Sequence, residues 1–304
     1  MNASKFVKLK KELRWYPFVI VSVIALILFV YIPMFRTVQY SLYDVSIVGY
    51  GEKFCGLKNY RTLFGQSQFL KSILNTVILT LLSLITIPIG FLLAVAINSL
   101  GRTKIQSFFR IGYYLPNIIT GVSVILMFQA VLQGHGGLLN TFLSAILHRE
   151  ITIGWISDVK YAKLGATILW IWQSSGYAML INLASLQAIP TELYEAASVD
   201  GANSFHKITR ITMPLMKDCF TFLFVTGVIN GLSRFTDLYI LGGNSSAGIP
   251  SGSLQTILMY IYQYSFETPN FGLSSAGSMI LFALVFVFTL ANVKLTGFMD
   301  VENN

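Results

Sequence analysis

Few residues in this chain have chemistry to offer. Arg234 and Asp237 stand three apart inside an otherwise uncharged run, a spacing that puts both on one helical face. A charge in apolar surroundings is costly unless it is paired or wet. The two therefore read either as a structural ion pair or as charges facing a watery path. Upstream, Trp170, Trp172, Gln173, Tyr177 and Asn182 share one stretch, and Asn230 follows in the next. Aromatic and amide side chains turned into a helical bundle suit a hydroxyl-rich solute. The same tryptophans can equally pack against lipid, and Asn182 can bridge neighbouring helices.

Catalytic sets are harder to assemble. A phosphate-cradling loop needs two glycines followed by Lys and Ser or Thr, and the nearest approach is GQSQFLKS at 65–72, where Leu70 fills the second glycine position. His135, His148 and His206 are scattered, without companions at metal-ligand or triad spacing. Cys55 and Cys219 fall on opposite sides of the membrane in the topology below, which argues against a disulfide. These features point to a chain that is not an enzyme.

The elements that must position these residues are set by composition. Of 304 residues 54% are hydrophobic and 11% charged, against about 25% charged in soluble domains. A soluble fold cannot hide that much apolar surface, so part of it must face lipid. The net charge of +8 is dispersed between apolar runs rather than along one face, which suits loops at anionic lipid better than nucleic acid.

A helix needs about 20 apolar residues to cross the hydrocarbon core. Uncharged runs at 15–35, 72–101, 111–134, 164–191 and 268–293 qualify, and a sixth near 219–241 is interrupted by Arg234 and Asp237. Six spans put both termini on one side with the segments 99–110 and 187–217, and together these carry 12 of the 21 Lys and Arg. That side is expected to be cytoplasmic. The basic start, Lys5 to Arg14, resembles a signal peptide, but the apolar run behind it is long for one and Arg36 follows instead of a cleavage site. It reads as an uncleaved first helix. The expected organisation is a cytoplasmic segment 1–14, a first helix 15–36, a core 72–293 with five helices, and a cytoplasmic tail 294–304.

Within that core the inner loop 189–214 reads IPTELYEAASVDGANSFHKITRITMP. Pro190 and Thr191 make a helix start, and Glu192 and Glu195 suit its positive end. Leu193, Ala196 and Ala197 form a small apolar face. Gly201 breaks the helix, a second one carries Phe205, Ile208 and Ile211 at three-residue spacing, and Pro214 is expected to end it. Physics alone leaves two roles open: docking into another protein, or lying on lipid headgroups.

Glu195-Ala196-Ala197, Gly201, Ile211 and Pro214 resemble the EAA loop of binding-protein-dependent ABC importer permeases, with Met213 where that pattern usually has Leu. The segments FCGLKNYRTLF (54–64), NTVILT (75–80), FFRIGYYLP (108–116), GWISD (154–158) and FGLSSAGSMILF (271–282) resemble the same family in its order, and most closely carbohydrate-uptake permeases of the maltose and glycerol-phosphate type. The GLKNY segment leans toward the larger maltose permease subunit, although that subunit's extra external domain has no counterpart here.

The resemblance implies an all-α type I importer permease, with five core helices plus an N-terminal helix that clasps a second, related permease. The EAA loop is then the coupling helix. Glu195 would meet an arginine of a separate ATPase subunit, Ala196 and Ala197 would allow close packing, and Gly201 the turn. ATP and magnesium would belong to two such ATPase subunits, and this chain would hold no cofactor. An extracytoplasmic binding protein would deliver a carbohydrate, an oligosaccharide first, a monosaccharide or glycerol phosphate as alternatives. A gap-free match to the maltose permease brings Tyr177 to a sugar-contacting tyrosine, and Gly227, Asn230 and Gly231 to the sugar-contacting stretch of the fifth span. A bacterial or archaeal cytoplasmic membrane is the implied location. A stand-alone carrier driven by an ion gradient is the reading from another class, with Asp237 as its one intramembrane acid.

Overall fold

The computed structural model describes residues 16–46, 52–101, 103–119 and 121–296. The expected segment 1–14 lies outside them, as does most of the expected tail. Helix α1 runs over 16–41 with a π-turn at Ile27–Tyr31. Its apolar residues from Val19 to Phe35 are exposed. Only its last part, Ile32–Ser41, packs on the final helix. A two-stranded ribbon follows, β1 (Tyr43–Asp44) against β2 (Lys53–Phe54), antiparallel with Tyr43 opposite Phe54.

Helix α2 (Lys58–Gly65) leads into α3 (Ser67–Ser83) and α4 (Thr86–Asn98), which form one apolar run from Ser67 to Asn98. This run starts before the expected Ser72. The polar residues Gln68 and Lys71 extend it outward, where they bond to Gln255 and to the Ser251 carbonyl. Gly65 to Ser72, the nearest approach to a phosphate loop, is the end of α2 and the first turns of α3, so most of its amides belong to helices.

Helices α5 (Lys104–Ile118), α6 (Gly121–Val131) and α7 (Leu138–Leu147) precede the long α8 (Ala162–Ala188). The loop 189–214 holds α9 (Thr191–Val199) and α10 (Ser204–Leu215). Then come α11 (Lys217–Leu232), α12 (Thr236–Leu241), α13 (257–267) and α14 (Phe271–Thr296). Lys294, expected to begin a tail, lies within α14, because helical bonding carries past the last apolar residue.

By length and composition three helical segments can cross a membrane, Val19–Ser41, Ser67–Asn98 and Phe271–Asn292; two bent pairs, α5 with α6 and α10 with α11, raise this to five. Helix α8 is the remaining predicted span. Its 27 residues reach about 40 Å at about 1.5 Å per residue, but polar residues dilute its apolar character. Much of it is buried by other helices instead of facing lipid.

Small residues make that burial possible. A Cβ on Gly90 of α4 would lie 2.6 Å from the Ala178 Cβ of α8, and one on Gly176 of α8 would lie 1.9 Å from the Tyr113 carbonyl oxygen of α5. Helices in lipid gain association from such close backbone approach. The largest apolar cluster gathers Leu79, Ile125, Phe128, Leu132, Leu169 and Leu238 from α3, α6, α8, the segment beyond α6, and α12.

Candidate functional site

The loop 189–214 is shaped by local signals. Pro190 occupies the N-cap of α9 and Glu192 its first turn. Gly201 has φ +76°, a conformation that suits a residue without Cβ. The Ala202 amide donates to the Ala197 carbonyl at 2.8 Å and the Gly201 amide to the Ser198 carbonyl at 3.1 Å, the bond pair of a Schellman helix end. The Asn203 side chain accepts from the His206 amide at 2.9 Å and starts α10.

Two side-chain bonds then tie the helices together. The Tyr194 and Thr212 hydroxyls meet at 2.9 Å, and the Lys207 ammonium donates to the Ser198 hydroxyl at 2.7 Å. The outward surface stays bare. Glu195 and Ala196 are exposed, Ala197 and Ile211 half-buried, and Val199 and Phe205 are 89% and 70% exposed. Pro214 lies in the last turn of α10, one residue before its end at Leu215. A π-turn at Ile208–Thr212 widens the helix ahead of it, where the missing proline N–H removes an ordinary bond. The chain turns by 66° between α10 and α11, around Met216.

A second site opens among the long helices. A cavity of about 410 Å³ is lined by Ser83 of α3, Thr86 and Ile87 of α4, Asn117 of α5, Trp170, Gln173, Ser174, Tyr177 and Ala178 of α8, and Leu223, Thr226, Gly227 and Asn230 of α11. None of these carries a charge. Ser83 and Thr86 donate to carbonyls of their own segment, and Thr226 to the Phe222 carbonyl. By contrast, the amides of Asn117, Gln173 and Asn230 have no hydrogen-bond partner among the described residues. Three bare amides, with hydroxyl lone pairs and two aromatic rings, can take up a neutral solute rich in hydroxyls.

Residues 86–300 match the family model described as the binding-protein-dependent transport system inner membrane component. The chain belongs to this family. Relatives include the probable ABC transporter permease protein YurN of Bacillus subtilis, 31% identical over 90% of this chain and 93% of that one. The multiple sugar-binding transport system permease protein MsmF of Streptococcus mutans is 28% identical over 95% and 96%. Among solved structures, a bacterial ABC transporter involved in the import of the acidic polysaccharide alginate superposes with a TM-score of 0.81 at 24% identity, covering 96% of this chain and 98% of that one. That likeness establishes the fold, type I, and the family match with these relatives makes the chain a multi-pass ABC importer permease.

In this permease the expected path residues divide. Gln173, Tyr177, Gly227 and Asn230 meet at the cavity, whereas Gly231, Arg234 and Asp237 are not in its wall. A Cβ on Gly231 would lie 2.7 Å from the Thr80 Cγ2, so this glycine serves the contact between α11 and α3. Arg234 and Asp237 do not share a continuous helix. Arg234 lies in the break between α11 and α12, 2% exposed, and Asp237 in the first turn of α12, 7% exposed. The pair is formed, with Arg234 Nη2 and Nε 2.5 and 3.0 Å from Asp237 Oδ2. Because both charges are withdrawn from solvent, each needs the other, and pairing offsets part of the cost of their desolvation.

Trp170, read as either packing or platform, lines the cavity, while Trp172 lies against Phe128 with ring centres 4.9 Å apart. Asn182 is fully buried, bonding the Ala178 carbonyl of its own helix at 2.8 Å and meeting the Cys219 sulfur of α11 at 3.8 Å. Sequence reasoning missed Ser83, Thr86, Asn117, Ser174 and Thr226. A systematic list of polar residues inside uncharged runs would have included them all, but nothing in the sequence says which of them face one another.

Proposed function

We propose that this permease forms half of the path for a neutral carbohydrate, handed over by an extracytoplasmic solute-binding protein and driven by separate ATPase subunits. The observation that carries this reading is the uncharged cavity with bare amides of Asn117, Gln173 and Asn230. A sugar presents hydroxyls that need both donors and acceptors, and amides supply both. Relatives named for sugars agree: the multiple sugar-binding system permease above, and the trehalose/maltose transport system permease protein MalF of Thermococcus litoralis, 28% identical over 98% of this chain. An oligosaccharide is the preferred substrate and a monosaccharide the alternative. Glycerol phosphate fits less well, because no cation stands in the cavity wall.

A second, related permease completes the path. The exposed apolar face of α1 suits lipid and that partner. On the inner side, Glu195, Ala196 and Ala197 of α9 seat in a groove of an ATPase subunit, and Val199 and Phe205 supply apolar area that water alone would not favour. Both termini are then cytoplasmic. ATP-driven closure of two ATPase subunits moves this loop and rocks the bundles between inward- and outward-open states. A swing from 1:99 to 99:1 takes about 5.5 kcal/mol of differential binding. A carrier working alone on an ion gradient would need an accessible acid in its path, and Asp237 is buried against Arg234.

The test is ligand screening of the cognate binding protein, followed by uptake into vesicles that hold the full assembly. Carbohydrate capture with ATP-dependent uptake is expected. Uphill transport by this polypeptide alone would overturn the proposal.

A further inference from the structure

We infer that Arg234 and Asp237 are positioning residues for the cavity: they lock the indole of Trp170 and the end of α11 to each other, and so set the distance between the two cavity walls. The inference rests on the carbohydrate-path reading above and adds to it residues that touch no solute.

Arg234 is the largest fully buried side chain among the described residues. Its guanidinium has four engagements at once. Nε and Nη2 donate to Asp237 Oδ2, Nη2 donates to the Ala166 carbonyl of α8 at 3.0 Å, and Cζ lies over the Trp170 ring, 4.5 Å from its centre, while the buried Nη1 has no hydrogen-bond partner among the described residues. Its own carbonyl accepts from the Thr256 hydroxyl at 3.1 Å. Ala166 and Trp170 are four apart on α8, so the guanidinium grips one face of that helix over a full turn.

Arg234 also follows α11 by two residues, and Asn230 at the end of α11 lines the cavity opposite Gln173 and Tyr177 of α8. One side chain thus spans both walls from behind. Asp237 holds the guanidinium plane in that orientation, a task a lysine cannot perform, since an ammonium has no plane to stack or to fork.

A purely structural ion pair would account for the burial, and the two roles part under one double substitution. Replacing a buried pair by apolar residues of similar volume often preserves or raises stability. R234M/D237L is therefore expected to restore the thermal midpoint of the assembly, which either single substitution lowers. It should not restore Trp170. Acrylamide quenching, taken as the fraction that disappears in W170F, should rise at least about twofold as the indole gains freedom. The reconstituted full assembly is then offered glucose, maltotriose, raffinose and glycerol 3-phosphate. For whichever probe the wild type carries, the KM of R234M/D237L should rise about tenfold with maximal rate within about twofold, as expected when about 1.4 kcal/mol of aromatic positioning is lost. A wild-type KM and unchanged quenching in R234M/D237L would reduce the pair to a structural contact and overturn the inference. If the wild type carries none of the probes, the carbohydrate reading loses its support, while the quenching comparison still decides for or against the lock.

Discussion

The loop 189–214 and the cavity are built by opposite means. Residues close in sequence make the loop: a proline start, a glycine with φ +76° and an asparagine cap shape its helices, and two side-chain bonds between them complete it within Pro190–Leu215. It then leaves Val199 and Phe205 bare. The cavity takes side chains from five helices and leaves the amides of Asn117 and Asn230 exposed. A surface whose shape is complete but whose apolar face is uncovered is suited to being pushed by another body. A cavity held between helices changes only when the helices move. In the proposed mechanism the loop is the handle, and the cavity is the part whose shape follows the helices that the handle moves.

The comparison is broken most severely at the helix contacts that define the cavity. Gly176→Ala puts a Cβ on the Tyr113 carbonyl oxygen, a backbone atom with little room to yield, and should cost about 1–3 kcal/mol or more. Thermal unfolding of the purified assembly should show a midpoint several degrees lower; an unchanged midpoint would mean α5 and α8 are not in contact.

Next in size are the handle variants. Glu195→Ala should weaken ATPase association by about 2–5 kcal/mol if its carboxylate meets an arginine there, with membrane insertion unchanged. Co-purification of the ATPase with the tagged permease measures this, and full recovery alongside normal uptake would remove Glu195 from coupling. Gly201 gives a finer cut. Nothing lies within 4 Å of a Cβ placed there, so only backbone strain opposes substitution. Gly201→Val should lower uptake more than Gly201→Asn, because asparagine tolerates the left-handed region and a β-branched residue does not. Equal uptake by the two would show that the turn's conformation is irrelevant to coupling.

Smaller effects are expected in the cavity wall. Asn230→Leu removes one amide without opening space, and should raise the KM for the carried sugar about tenfold while leaving basal ATP hydrolysis of the assembly within about twofold. A changed basal rate with an unchanged KM would place Asn230 in coupling instead. The smallest change is expected from Phe205→Ser, which removes exposed apolar surface and should leave the midpoint of the isolated permease within about 0.5 kcal/mol of wild type. Its effect should appear only when the ATPase is present, as a faster dissociation.

The loop was legible residue by residue, since caps, glycine turns and helix periods act over three to five positions. The π-turn at Ile208–Thr212, just ahead of Pro214, was not expected from the sequence. Of the residues expected along a path, Gln173, Tyr177, Gly227 and Asn230 line the cavity, whereas Gly231, Arg234 and Asp237 lie outside its wall. Polar character alone could not separate them: Asn117 and Asn182 are the same residue type in similar runs, yet one faces the cavity and the other is fully buried. The continuous apolar runs fall on helices, but the expected 111–134 span is a bent pair that starts at Lys104, and α8, expected as a span, is too polar to qualify as one by composition.

The sequence by itself determined that this chain lives in a membrane and that the loop 189–214 folds into a capped helix pair. Hydrophobicity and capping are local or additive properties, and they can be summed along a chain. Tertiary structure alone decided which polar groups face water. A charge in an apolar run is satisfied either by a path or by a partner, and only the approach of α8 to the break after α11 closes Arg234 onto Asp237, Ala166 and Trp170 instead of leaving it open.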